Sequence, residues 1–183
     1  KTNLIKGYQA CVSYIDKLIG DILTQLKDLS NNVNINNTVI LLWGDQGFHL
    51  GNKDQWTKHT NFDVATHIPL IIRDPRKLGG VRLDNIVEAL DIYPTLRKLC
   101  LLDNIQVSHA LEGKDITSRL HYTDQNTSNN SENMAITQYV RNNGNVVGYT
   151  LKDSRYRYTR WYTDICNNIL NTSNRQYFVK DLT

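Results

Sequence analysis

Cysteine, proline and methionine are scarce in this 183-residue sequence, with 3, 3 and 1 residues. The cysteines, Cys11, Cys100 and Cys166, allow one internal disulfide at most. None is spaced as C-x-x-C, which argues against a zinc or dithiol redox site. Long hydrophobic runs are also missing. The longest is five residues, Val39 to Trp43, against the ~18 or more that a membrane span needs. No charge of one sign dominates. A net charge of +3 is too small and too scattered to imply nucleic acid. No charged-then-apolar leader opens the chain, so any secretion signal is expected outside it.

What is present is a 40% hydrophobic content, enough for the core of one domain or of part of a larger one. Asparagine is abundant and clusters at Asn31–Asn37, Gln125–Asn133 and Asn167–Asn174, which read as surface loops. Asn-x-Ser/Thr sequons fall at Asn36, Asn126, Asn129 and Asn171, so glycosylation is permitted at four places.

Periodicity divides the chain. Leu4, Tyr8, Cys11, Val12, Ile15, Leu18, Ile19, Ile22, Leu26 and Leu29 recur at three- and four-residue steps and predict one amphipathic helix. Thr38–Trp43 is short, apolar and branched, the pattern of a strand buried on both faces, as in a parallel sheet. Ile68–Ile72 is a second such run, with Pro69 near its start or on an edge. A further helix fits Ile92–Leu102, with Asp91 as N-cap and Pro94 in the first turn. From about residue 115 the pattern becomes short, aromatic-rich and alternating, at Ala135–Val140, Val146–Lys152, Arg155–Tyr162 and Tyr177–Val179. The expectation is an α/β body over 1–115 and a small antiparallel sheet over 116–183.

The chemistry concentrates in G-D-Q-G-F-H-L-G-N-K-D-Q-W-T-K-H-T-N, from Gly44 to Asn61. Asp45 closely follows the apolar strand, where ligands bind in open α/β sheets. An Asp carboxylate beside the Gln46 amide offers two hard oxygen donors, suited to Ca²⁺ or Mg²⁺. Lys58 adds a compact cation for an anionic group. On these features alone the segment is either a metal-and-anion site or a polar turn. His49, His59 and His67, taken singly, read as surface or satisfied histidines.

The stretch from Gly44 to Ile71 resembles the sulfatase segment D-H-G-x-x-L-G-E-H-x-x-W-x-K-x-x-x-F-(E/D)-x-A-T-x-x-P-L-I. G-Y-Q-A-C-V-S-Y-I-D-K-L-I-G-D-I-L and A-L-D-I-Y-P-T-L-R-K-L-C resemble a helix and a further element of that family. V-G-Y-T-L-K-D-S-R-Y-R-Y-T-R-W and Q-Y-F-V-K-D are similar to C-terminal strands of its iduronate 2-sulfatase branch. The resemblance implies the alkaline phosphatase superfamily fold, a mixed, mostly parallel sheet flanked by helices. It implies a sulfuric ester hydrolase with a formylglycine nucleophile and a Ca²⁺ ion, acting on sulfated sugars such as glycosaminoglycans in a lysosomal or secreted setting. Asp45 and Gln46 then map onto metal ligands and Lys58 onto the lysine that contacts sulfate. Trp56, Phe48 and His59 map onto the rim of the substrate pocket.

The departures are specific. No cysteine lies in C-x-P-x-R, and no tandem aspartates of the metal site are found. The chain is therefore expected to be the C-terminal part of a sulfatase, completed by its remaining N-terminal part. Gln46 stands for the commoner His, and Asn52–Lys53 for Glu–His. The alternative is a non-catalytic relative that keeps the fold; a phosphoryl hydrolase of the same superfamily fits the W-x-K-H-T-N-F spacing less well.

Overall fold

The computed structural model describes residues 1–28, 34–77, 79–121, 134–163 and 176–181. Leu29, Cys166, the sequons at Asn126, Asn129 and Asn171, and much of the three asparagine-rich clusters lie outside them. Two compact units emerge, one of residues 1–58 and 67–80, the other of 59–66 and 81–183.

The first unit opens with helix α1 (Thr2–Asp28), as its apolar stripe predicts. Strand β1 (Ile40–Trp43) follows a 3₁₀ turn at Ile35–Asn37. Next comes a small hairpin of β2 (His49–Leu50) and β3 (Trp56–Thr57). Strand β4 (Leu70–Arg73) then pairs with β1, Ile40 opposite Arg73 and Trp43 opposite Leu70. Arg73 anchors the entry to β1 by donating to the carbonyls of Ile35 (2.5 Å) and Thr38 (3.2 Å). Pro69 sits one residue before β4, so its missing N–H costs the ladder nothing.

The expected mostly parallel sheet is not formed by the described residues, whose strand pairs are all antiparallel. The reason is the connection. β1 returns to β4 through a hairpin and a short turn of helix, α2 (Asp63–Thr66), whereas a parallel pair needs a crossover, usually a long helix. Nor is β1 buried on both faces, since Leu42 and Trp43 are exposed.

The second unit holds α3 (Ile92–Leu99) and an antiparallel sheet of β5 (Ala135–Arg141), β6 (Val146–Lys152), β7 (Arg157–Thr163) and β8 (Gln176–Asp181), in that order. The alternating sequence predicts these four strands within two residues of their ends. Asp91 does not cap α3 with its side chain. Its carboxylate instead accepts from Glu88 N (2.9 Å) and Lys114 N (2.8 Å), tying the helix start to the following loop. Thr95, fully buried, completes that tie by donating to Asp91 O (2.5 Å) and accepting from Ile116 N (3.2 Å). At Gly113 a Cβ would lie 2.0 Å from Leu90 O, so only glycine lets the loop pass the 3₁₀ turn before α3.

The segment 59–66 is clasped to one face of this sheet. Asn61 Nδ2 donates to Gly148 O (3.1 Å), and buried Arg157 donates to Asn61 O (2.6 Å) while its guanidinium lies 5.1 Å from the Phe62 ring. Lys152 pairs with Asp63. The burial alternates accordingly: Gly148, Thr150, Arg157 and Thr159 are buried, while Tyr149, Leu151 and Tyr158 face outward.

Candidate active-site loop

The loop from Gly44 to Lys58 is built as a hairpin on the end of β1. Gly44 N donates to Pro69 O (3.0 Å) and carries the β1–β4 ladder one step on, so close that a Cβ there would lie 3.0 Å from Pro69 Cδ. Asp45 and Gln46 leave this point exposed. Among the described residues, neither side chain is engaged in a hydrogen bond or ion pair. The chain then enters β2, where His49 pairs with Thr57 and Leu50 with Trp56.

The turn at the far end is closed by its own groups. Gly51 N donates to Gln55 O (2.9 Å), Gln55 N to Asn52 O (3.0 Å), and Leu50 N to the Asn52 side chain (3.1 Å). Gly51 adopts φ 97°, and Lys53 and Asp54 sit at 54° and 56°. Asn52 and Lys53, which stand for the commoner Glu and His, therefore belong to a tight left-handed turn, where an Asn amide is well suited to cap the backbone.

Because His49 and Thr57 form the last pair, Lys58 leaves the hairpin at the same end as Phe48, two residues from Gln46. That register puts Phe48 and Lys58 at one end, the end from which the chain leads back to Gln46 and Asp45, and sends Asn52–Asp54 to the other. Thr57, next to Lys58, has φ 81°, a rare conformation for a β-branched residue. Such strain persists only where surrounding structure enforces it, and it concentrates at functional sites. No residue pattern in the sequence signals it.

The remaining candidates have other contacts. Trp56 lies against the turn, its ring 3.5 Å from where a Gly51 Cβ would be. The Phe48 ring is 5.4 Å from that of Tyr8 on α1. His59 belongs to the second unit and stacks on Tyr139 at 6.3 Å and 29°. His49 is wholly buried and His67 exposed.

A sulfatase family model matches residues 1–100, more than half the chain. The chain belongs to the sulfatase family. Among similar proteins are a sulfatase of Formosa agariphila, 34% identical over 86% of this chain and 28% of that protein, and human iduronate 2-sulfatase, 27% identical over 85% and 37%. The solved structure of BT4656 in complex with its substrate D-glucosamine-2-N,6-O-disulfate superposes with a TM-score of 0.62 at 20% identity. It covers 92% of this chain and 32% of that one, a likeness of fold. The chain thus spans about a third of the length of these sulfatases.

The donor chemistry of the loop fits part of a Ca²⁺ site. Asp45 and Gln46 supply two hard oxygens that nothing else among the described residues uses. No group of three or more His, Cys, Asp or Glu is gathered among those residues, and two oxygens fall short of the six to eight that Ca²⁺ takes.

Proposed function

We propose that this chain supplies one side of the active site of an iduronate 2-sulfatase-like sulfuric ester hydrolase, acting on sulfated sugars of the glycosaminoglycan kind. The reading is supported by the hairpin register, in which Lys58 leaves the hairpin at the end to which Asp45 and Gln46 lead. The formylglycine nucleophile, the other metal ligands and the strands that complete a parallel sheet are proposed to come from the N-terminal part of the same protein. A lysosomal or secreted setting is proposed on the sequons, of which Asn36 is exposed.

In this reading Asp45 and Gln46 hold Ca²⁺, which when bound supplies positive charge beside the sulfate oxygens. Lys58, half-buried and without a hydrogen-bond partner among the described residues, holds the sulfate by charge. A sulfate ester keeps its negative charge throughout hydrolysis, so Lys58 favours both substrate binding and the transition state. Phe48, which leaves the hairpin at the same end as Lys58, supplies an apolar wall for a sugar, whereas Trp56 lies against the turn at the other end.

The test is turnover of an aryl sulfate and of a sulfated uronic-acid disaccharide by the full-length protein. Asp45→Ala is expected to abolish activity, because it removes a charged ligand from a dication. Gln46→Ala should cost less, since water replaces a neutral amide oxygen, and Gln46→His should leave activity equal or better. Full activity of Asp45→Ala overturns the metal assignment. A full-length protein with no turnover of either substrate would favour the non-catalytic relative.

A further inference from the structure

The second unit carries a cation clamp that the hydrolytic loop does not use. In the sheet, Tyr139 of β5 pairs with Gly148 of β6, and Gly148 with Trp161 of β7, so the two aromatic residues flank a glycine on one face. With strands about 4.8 Å apart, their Cα atoms stand roughly 10 Å from each other. Gly148 leaves that gap open. A Cβ there would lie 2.7 Å from the Trp161 ring, which leans over the bare backbone.

Arg141 sits two residues beyond Tyr139 and hence on the same face. Its guanidinium lies over the Trp161 ring at 4.6 Å and over the Tyr139 ring at 5.6 Å. Tyr139 also stacks with His59, at 6.3 Å. The result is a ladder of His59, Tyr139, Arg141 and Trp161. Arg141 is exposed, and among the described residues it makes no hydrogen bond or ion pair. A guanidinium that lies over two rings without a hydrogen bond has N–H groups to offer, and their fork matches a two-oxygen anion. Because the rings already fix the side chain, little rotamer entropy is lost when the anion arrives.

We propose that Arg141, clamped by Trp161 and Tyr139, is a recognition site for an anionic group, sulfate ester or carboxylate, on a glycan. The choice of a glycan rests on the proposed function; the anion site itself rests on the ladder. The ring edges of Tyr139 and Trp161 offer apolar contact to sugar C–H groups beside the bound anion.

The experiment is a titration of the 183-residue chain, at concentrations where gel filtration shows it monomeric, followed by tryptophan fluorescence. Three hexasaccharides serve as probes: a heparin-type one, its fully desulfated form that retains carboxylates, and neutral chitohexaose. Binding of either anionic probe, with chitohexaose weaker, is expected, and the comparison tells which anion the site takes. Arg141→Ala should weaken binding about tenfold or more, the size of losing a charge-assisted hydrogen-bond pair. Arg141→Lys should recover part of it, because lysine keeps the charge and loses the fork. Trp161→Leu, which keeps the charge and removes the clamp, should also weaken binding, with far-ultraviolet dichroism confirming the fold. Lys27→Ala, an exposed cation on α1, should leave it unchanged. Equal weakening by Lys27→Ala and Arg141→Ala, or normal binding by Arg141→Ala, overturns the site. Hydrolysis of an aryl sulfate by the full-length protein is read separately, so the hydrolase reading stands or falls without this result.

Discussion

At the scale of single residues, the loop divides into groups that hold the hairpin and groups left free by it. Asn52, Gly51 and Trp56 are occupied by the turn, whereas Asp45, Gln46 and Lys58 are not. Lys58 is the sharper test of the two classes. It follows a strained Thr57 at the open end of the hairpin, with no apolar face to serve. In an active full-length protein, Lys58→Ala is expected to lower kcat/KM by on the order of 10²-fold or more. Lys58→Arg should rescue only partly, because a planar guanidinium does not replace a compact ammonium. Thermal unfolding should shift by less than about 1 kcal/mol, as for a surface substitution. Near-normal kinetics, or failure to fold, would remove Lys58 from the site. These candidates were singled out in the sequence through the resemblance to the sulfatase segment, because an Asp, a Gln and a Lys in a glycine-punctuated loop fit a polar turn as well as a metal-and-anion site. The φ of Thr57, the burial of His49 and the clasp of Arg157 on Asn61 were not, since each depends on partners remote in sequence or on the path of the backbone.

At the scale of elements, local pattern and local structure agree well, and long-range pairing is where they part. The stripe from Leu4 to Leu26 gives α1, and alternation gives β5 to β7, because both signals are periods of the backbone itself. The direction in which β1 meets β4 is set by a 26-residue connection, and no period encodes it. Turn chemistry is the exception that is both local and measurable. Between β6 and β7, the Asp153 carboxylate accepts from Tyr156 N and from Arg155 N (2.7 Å). These two hydrogen bonds, Tyr156 first, hold the Asp153 carboxyl below its usual range. A carboxyl whose folded pKa is depressed stabilises the fold above its unfolded pKa of about 3.9, and that contribution fades as pH falls through the folded value. Asp153→Ala is therefore expected to melt slightly lower than the parent at pH 7, with the gap closing as pH falls below the ordinary carboxylate range. The group is exposed, so the effect is modest. A gap of the same size at pH 7 and pH 2 would show that the charge on Asp153 plays no part.

At the scale of the whole chain, the apolar residues outnumber what they bury. Among the described residues, only Ala65, Leu99, Ile116 and Val147 form a buried apolar core, although 40% of the sequence is hydrophobic. The imbalance is concentrated on α1. No residue of that 27-residue helix is buried, and Leu4, Val12, Ile15 and Ile22 are 63%, 56%, 53% and 63% exposed along the stripe that the sequence marks as core-facing. A two-stranded sheet such as β1–β4 is marginal without a packed face, and Leu42, Trp43 and Ile71 leave its faces bare. Exposed apolar stripes of this length drive association. The isolated chain is expected to bind an apolar dye and to elute at larger size in gel filtration as its concentration rises. Ile15→Lys with Ile22→Lys should reduce both, since charges on the stripe oppose its burial in a second copy. The same chain should not hydrolyse an aryl sulfate with Ca²⁺ present, because it has no cysteine in C-x-P-x-R and, among the described residues, no group of three or more His, Cys, Asp or Glu. Adding the N-terminal part of the protein in trans should suppress dye binding and self-association together, and restore turnover if the two parts share one core. A chain that is monomeric and dye-free at high concentration would mean that the stripe is covered within the chain itself. Calcium-dependent turnover by the chain alone would mean that the nucleophile lies among its own residues, and the assignment of Asp45, Gln46 and Lys58 to one side of a divided site would fall with it.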